Sequence, residues 1–205
     1  MDTKEQKEKE RKERENALAS LKDFNYKKKT LDDLKKLLEK DILLETPDEN
    51  NELPIVKAIY AQNIEIIKYL ISQKVNLYAT DLSGQTTMMI CARNGLLDTA
   101  KLLLTAGYDL NQSISTTNQT VLGLAVWDNH LKMVQWLLNN GADVDMADNQ
   151  GWTPLMIAAF SGFTDIVTEL LKHHPDTAKK NNRGLTAFDL AVFKNHADIV
   201  GLLKN

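Results

Sequence analysis

One short run of text constrains this chain more than any other feature, because it returns at a fixed distance. Gly151-Trp152-Thr153-Pro154-Leu155-Met156-Ile157-Ala158 is matched 33 residues later by Gly184-Leu185-Thr186-Ala187-Phe188-Asp189-Leu190-Ala191. It is matched 33 residues earlier by Asn118-Gln119-Thr120-Val121-Leu122-Gly123-Leu124-Ala125. Gly84-Gln85-Thr86-Thr87-Met88-Met89-Ile90-Cys91 lies 34 before that, and Asn51-Glu52-Leu53-Pro54-Ile55-Val56-Lys57-Ala58 another 33 before. The extra residue falls in Ser113-Ile114-Ser115-Thr116-Thr117, a suitable place for a loop insertion. A second signature keeps the same phase: "GADVD" at Gly141, "GYDLN" at Gly107 and "KVNLY" at Lys74. A constant period of this length means stacked copies of one small unit.

Each copy carries the same physical grammar. Thr153 suits a helix N-cap, and Pro154 the first helical position, where a missing N–H costs nothing. Leu155, Ala158 and Ala159 give a short helix an apolar face of small residues, which permits close backbone approach. Gly162 fits a left-handed C-terminal cap. A second helix follows, with Ile166, Val167, Leu170 and Leu171 at helical spacing. In the preceding copy Gly141 ends that second helix, and Ala142-Asp143 leads out to the next Asp-x-x-Gly turn. Two short helices and a turn cannot bury both faces alone, whereas stacked copies can. The expectation is an all-α chain of about six helix pairs, with no sheet beyond turn-tip hairpins.

These residues resemble the ankyrin repeat family. Its pattern is an aspartate, two free positions, a glycine, one free position, Thr-Pro-Leu-His, alanines, a glycine, a Leu-rich helix and Gly-Ala-Asp. Residues 148–174 follow it best, and the copies beginning at 48, 81, 115 and 181 follow it more loosely. The resemblance covers residues 48–205 and implies an ankyrin-repeat solenoid of stacked helix-turn-helix units with turn-tip hairpins. The family histidine is missing throughout, with Val56, Met89, Gly123, Met156 and Asp189 in its place. The phase also extends backwards. Subtracting 33 from Glu65, Ile67, Leu70 and Ile71 lands on Asp32, Leu34, Leu37 and Leu38, the outer helix of a degenerate first copy with Asp48 as its exit. Residues 17–29, with Leu18, Leu21 and Phe24 at spacing three, would be its inner helix. The expected organisation is a charged tail or frayed helix at 1–16, a degenerate cap at 17–47, and copies at 48–80, 81–114, 115–147, 148–180 and 181–205. Terminal copies are commonly atypical because one face meets water.

Composition excludes several functions. A net charge of −3 argues against nucleic acid, whose phosphates call for a basic excess. No apolar run approaches the length that spans a bilayer. The single cysteine, Cys91, rules out an intramolecular disulfide. It occupies the position of Ala58, Ala125, Ala158 and Ala191, which makes it a small core residue rather than a nucleophile. Residues 2–15 carry six acidic and six basic side chains. Glu5–Lys9, Glu8–Lys12 and Glu10–Arg14 stand at the favourable i,i+4 spacing. Two readings of this segment stand: a solvated, fraying helix, or a binding arm or spacer to a membrane anchor. Lys27-Lys28-Lys29 is flanked by Asp23, Asp32 and Asp33, which makes it a weak phosphate or lipid site. No secretory signal is present, so the expected location is cytoplasmic, or extracytoplasmic if an N-terminal signal was removed.

Candidates for chemistry are thin. His173-His174 falls at a helix end with no Cys or Asp cluster at metal-ligand spacing, and reads as C-terminal decoration favoured by the helix dipole. His130 follows Asp128 but has no Ser or Cys partner that would complete a nucleophile triad. His196 fits a common family position after the inner-helix glycine, here Asn195. No glycine-rich phosphate loop exists, because the glycines are spaced by the repeat. No catalytic residue, metal or cofactor is therefore expected.

The surface shared by the copies remains. In the ankyrin family, turn tips and free inner-helix positions line a concave groove that usually binds protein partners. Carried over residue by residue, the first free position is Tyr60, Arg93, Trp127, Phe160 and Phe193. The second is Ala61, Asn94, Asp128, Ser161 and Lys194, and the turn position before Thr is Glu52, Gln85, Gln119, Trp152 and Leu185. Aromatic residues and an arginine in one ladder match a binding hot spot. The candidate partner-binding set is Tyr60, Arg93, Trp127, Asp128, Trp152, Phe160 and Phe193. The other reading is that these rings pack on one another and merely cover the groove. Trp136 aligns with Tyr69 and Leu102 on the outer helix and is expected in the inter-repeat core. Two functions follow: a non-catalytic protein-interaction module, adaptor or inhibitor, acting as a monomer; or a small-molecule binder or enzyme using the aromatic groove. No nucleic acid is expected as partner, and no membrane except through a removed N-terminal anchor.

Overall fold

The computed structural model describes residues 8–9, 11–12, 15–16, 19–21, 23–38, 44, 47, 52–112 and 119–204. Among these the regular elements are all α-helices, and one isolated antiparallel bridge joins Thr80 to Thr86 at a turn tip. The all-α expectation holds. The Ser113–Thr117 insertion, the side chains of Leu18, Leu37 and Leu38, and the Asp48 exit lie outside the described residues. The chain divides into two compact units, residues 1–87 and 88–205.

In the first unit the described residues from Glu8 to Leu21 are helical. The expected inner helix at 17–29 is shorter than its apolar spacing suggested. By Asp23 the chain is no longer helical, and the Asn25 side chain accepts the backbone N–H groups of Lys27 (3.2 Å) and Lys28 (3.1 Å) and closes a turn instead. Leu21, Phe24 and Tyr26 are still buried, now from the helix end and the turn. Helix α1 follows at Leu31–Leu38, with α2 at Pro54–Tyr60 and α3 at Ile64–Ser72. α1 and α3 start 33 residues apart, as the repeat phase requires, and Leu34 and Ile67 are both fully buried. Thr30 and Asp33 form a reciprocal cap on α1: Thr30 N–H donates to Asp33 Oδ2 at 2.9 Å, and Asp33 N–H to Thr30 Oγ1 at 3.2 Å. Asn63 caps α3 through its oxygen and donates its amide to the Tyr26 carbonyl at 3.0 Å, tying α3 to the N-terminal turn.

The second unit holds α4 (Thr87–Asn94), α5 (Leu97–Thr105), α6 (Val121–Trp127), α7 (Leu131–Asn139), α8 (Pro154–Ser161), α9 (Thr164–Leu171), α10 (Ala187–Phe193) and α11 (Ala197–Leu203). The inner helix α8 packs on α6, α10 and its own partner α9, while α9 packs on α7 and α11. Helices of seven to nine residues are not stable alone, and close stacking replaces length. Ala92, Ala125, Ala158, Ala159, Ala191 and Cys91 are all fully buried where the inner helices meet their neighbours. Burial pushes the Cys91 thiol far up from its ordinary range, so it stays protonated and inert. The Thr153 cap read from the sequence is present, accepting from Met156 N–H, and the aligned threonines do the same: Thr120 accepts from Gly123 N–H and Thr186 from Asp189 N–H.

One feature was not read from the sequence, and one expectation is corrected. Glu169 on α9 is buried, but Lys172 Nζ (2.8 Å) and Gln135 Nε2 (3.1 Å) satisfy it, and the Lys172 hydrogen bond, followed by that of Gln135, holds its carboxyl below the ordinary range. Trp136 is partly buried rather than in the core, because the buried stripe of α7 runs through Met133, Val134, Leu137 and Leu138, and Trp136 lies beside it.

A histidine latch joins successive copies within this unit. His130 Nε2 bonds the Arg93 carbonyl at 2.7 Å, and His196 Nε2 bonds the Phe160 carbonyl at 3.2 Å. Each imidazole lies on a glycine one copy back: a Cβ at Gly162 would stand 2.7 Å from the His196 ring, and one at Gly95 3.1 Å from that of His130. At the equivalent position Asn129 adopts the same left-handed backbone (φ 57) without being glycine, and the copy after it carries Phe163 in place of histidine. Glycine at 95 and 162 therefore serves the ring as well as the turn.

Two tests follow from this packing. Gly141 and Gly162 both have positive φ (88° and 80°), but Gly141 faces open space. Gly141→Ala should cost roughly 1–2 kcal/mol from backbone strain alone, and Gly162→Ala should cost more. In a His196→Ala background the difference should vanish; equal costs in the wild-type background would show that the ring does not press on Gly162. The second test concerns acid. The Thr30 backbone N–H and hydroxyl hold Asp33 low, and those of Thr186 do the same for Asp189. Burial pushes Asp81 up, yet the Tyr60 hydroxyl and the N–H groups of Gln85 and Ser83 outweigh it. These carboxyls bind fewer protons folded than unfolded, so their stabilisation is complete above the ordinary carboxylate pKa of about 4 and fades as pH falls through the lower folded values. Asp189→Asn should lower Tm at neutral pH, and the difference should shrink progressively as pH falls below about 4; a loss of constant size across that range would refute the assignment.

Candidate functional site

The second unit gathers aromatic side chains at the C-terminal ends of its inner helices. The turn before α8 sets the first of them. Asp148 Oδ1 accepts the backbone N–H groups of Gln150 (2.8 Å) and Trp152 (2.9 Å), and the Asp148 N–H donates to the Trp152 carbonyl at 3.0 Å. That closed turn holds Trp152 edge-on to Phe160, with ring centroids 5.3 Å apart and planes at 90°, a favourable quadrupole arrangement. Phe160 lies in the last turn of α8, where His196 holds its carbonyl. Trp127 ends α6 and remains 55% exposed.

These residues surround an open cavity of about 450 Å³. Trp127, Trp152 and Phe160 line it with Arg93 and Asp148, and Gly123, Leu124 and Ile157 are among the other lining residues. Gly123 occupies the missing-histidine position of its copy, where α4 has Met89 and α8 has Met156. Thr120 caps α6 by a bond of 2.9 Å to the Gly123 N–H, and with no side chain at this position the cavity stays open above the helix. A Cβ at this position would stand 2.8 Å from Thr120 Oγ1, the capping atom, and 3.5 Å from Ile157 Cδ1. The ladder of free positions pointed to the rim of this cavity but not to Gly123, Leu124 or Ile157. The signal available for them was a lone glycine inside an apolar helix.

The candidate residues divide into groups. Arg93, Trp127, Trp152 and Phe160 line one cavity, and Asp128 adjoins it, its Oδ2 receiving the Arg93 Nε–H at 3.0 Å. Phe193 is 73% exposed on α10 and lies outside the cavity lining. Tyr60 belongs to the first unit, half-exposed, with its hydroxyl donating to Asp81 Oδ2 at 2.6 Å. Phe160 also carries a cation: Lys194 Nζ stands 4.3 Å from its ring centroid. Trp152 and Phe160 thus do pack together, while Trp127 stays largely uncovered.

The chemistry of the remaining groups is structural. His130 and His196 serve the latches, and His174 takes a left-handed backbone (φ 53) at the position of Gly141 one copy earlier. Among the described residues no three His, Cys, Asp or Glu side chains gather in a way that could hold a metal ion. Among them also, no helix is long and apolar enough to cross a membrane.

Comparison with known proteins agrees with this architecture. A family model described as ankyrin repeats (3 copies) matches residues 24–114 and 116–205. The chain is similar to the ankyrin repeat and KH domain-containing protein mask-1 of Caenorhabditis elegans, 32% identical over 117 residues, which are 57% of this chain and 4% of that protein. It is similar to a putative ankyrin repeat protein of Rickettsia bellii (strain RML369-C), 29% identical over 133 residues, 64% of this chain and 73% of that protein. A putative ankyrin repeat protein, FPV018, of Fowlpox virus (strain NVSL) is 35% identical over 91 residues, 44% of this chain and 13% of that protein. The chain thus corresponds to only a small part of the mask-1 protein's length.

Proposed function

This chain belongs to the ankyrin repeat family, and on that premise we propose that it is a non-catalytic interaction module, an adaptor or inhibitor, that binds a protein partner on the inner-helix face of its second unit. Ankyrin repeats in general mediate protein–protein interaction. The observation that carries the reading is Trp127. A large, rigid aromatic side chain held 55% exposed beside a cavity gives the fold little and offers a partner much, as hot-spot residues do. Trp152 and Phe160 supply a pre-ordered wall that needs no rearrangement on binding, and pre-order of this kind favours affinity. Among the described residues the Cys91 thiol is buried, and His130 and His196 are engaged in the latches. The chain acts as a monomer, in the cytoplasm, in this reading. A cavity of about 450 Å³ also falls in the range of small-molecule sites, which makes a small-ligand binder the second reading.

Two variants test the interaction reading. Trp127→Ala should leave Tm nearly unchanged and weaken partner binding by roughly 30- to 1,000-fold, the cost of losing one aromatic anchor. Gly123→Met introduces the side chain that Met89 and Met156 carry at the same position; it should fill the cavity and reduce binding, with a modest fall in Tm because the new Cβ stands 2.8 Å from the Thr120 capping oxygen. Both are measured by capture from a lysate of the source cell, followed by titration of the purified partner. Binding that survives both substitutions on a folded chain would place the interaction surface elsewhere.

A further inference from the structure

The aromatic cavity also carries information about what enters it. Three of its walls, Trp127, Trp152 and Phe160, present π-systems, whose faces attract cations. The chain already uses one in this way, with the Lys194 ammonium over Phe160 at 4.3 Å. The charges at the cavity point the same way. Arg93 is paired with Asp128 at 3.0 Å and so is largely neutralised. Asp148 is the remaining carboxylate in the lining. Its Oδ1 takes two backbone N–H groups, and among the described residues no basic side chain lies within ion-pair distance of it. An apolar guest would strip water from that carboxylate without replacing its interactions, which is costly. An acidic guest would meet both Asp148 and the electron-rich ring faces. A cation gains from the rings and from the carboxylate together.

We infer that the cavity receives a lysine side chain of the partner, its ammonium over the faces of Trp127 and Trp152 and within the field of Asp148. This rests on the interaction reading above and names the chemistry of the partner at that same site. Lys194 is the internal competitor: it stands outside the lining and holds a face of Phe160, so an incoming ammonium is partly repelled by it.

The experiment uses the full chain and a short Gly/Ser peptide with one lysine, the same peptide with that lysine acetylated, and a third with leucine in its place. Acetylation keeps the shape of the stem and removes the charge. Binding is followed by NMR through the indole N–H signals of Trp127 and Trp152, with Trp136 as an internal control outside the cavity. The lysine peptide should shift the first two signals saturably and leave the third unmoved, and the acetylated and leucine peptides should bind at least about fivefold more weakly. Asp148→Asn keeps the oxygen that closes the turn and removes only the charge; it should weaken the lysine peptide by about two- to fivefold. Lys194→Gln should strengthen it. Equal or tighter binding of the leucine or acetylated peptide, or indifference to both substitutions, would overturn the inference and leave the interaction reading standing. No shift with any of the peptides, while partner capture still depends on Trp127, would likewise overturn the cation assignment alone. No shift together with capture that ignores Trp127→Ala would overturn both.

Discussion

A helix of seven residues has too few internal hydrogen bonds to outlast the entropy it gives up, and nearly everything in the second unit follows from that constraint. Its inner helices persist because alanine at the contact lets backbones approach until α8 is covered on both sides by α6 and α10. A larger residue at Ala158 or Ala125 would hold the copies apart. The caps, Thr120, Thr153 and Thr186, close the exposed N–H groups that such short helices have in excess. The histidine latches add a polar tie between copies at the opposite helix end. With side-chain identity constrained at the contact, the cap and the latch, variation on the inner-helix face is left to the free turn positions and the last residues of each inner helix.

That division between constrained and free positions is why fold and function were unequally legible in the sequence. Packing repeats, so its signature repeats: Ala125, Ala158 and Ala191 could be identified as core from spacing alone, and all three are fully buried. The Asp-x-x-Gly turn was equally plain, since Asp148 and Asn181 each accept the N–H groups two and four residues on. Departures from the period were harder to read. Apolar spacing alone extended a helix through Phe24 and Tyr26, where the Asn25 side chain had already offered the backbone a turn. Trp136 fell in line with outer-helix positions, yet the buried stripe of α7 passes beside it. The latches were half visible, because His130 and His196 stood at matching positions, but their acceptors, the carbonyls of Arg93 and Phe160, carry no mark in the sequence.

The cavity shows the same limit from the other side. The ladder of free positions singled out Arg93, Trp127, Trp152 and Phe160, because a tryptophan at an exposed repeat position has no packing reason to be there. It did not single out Gly123, whose missing side chain makes room above α6. A space is the product of several residues at once, and no single position announces it. Phe193 occupied the same ladder position but ends α10 outside the cavity lining. A shared repeat position therefore sets a residue's direction on its own helix, and the neighbouring copy decides whether it becomes part of a site.

The central claim is that partners meet the second unit on the face formed by the ends of α6 and α8 and the turn that carries Trp152. Backbone hydrogen–deuterium exchange of the full chain, free and saturated with a captured partner, examines that face directly. The account predicts added protection concentrated in residues 119–128 and 148–161, with the outer helices α7 and α9 exchanging as before. Protection centred on α7 and α9, with the Trp127 and Trp152 segments unchanged, would contradict it.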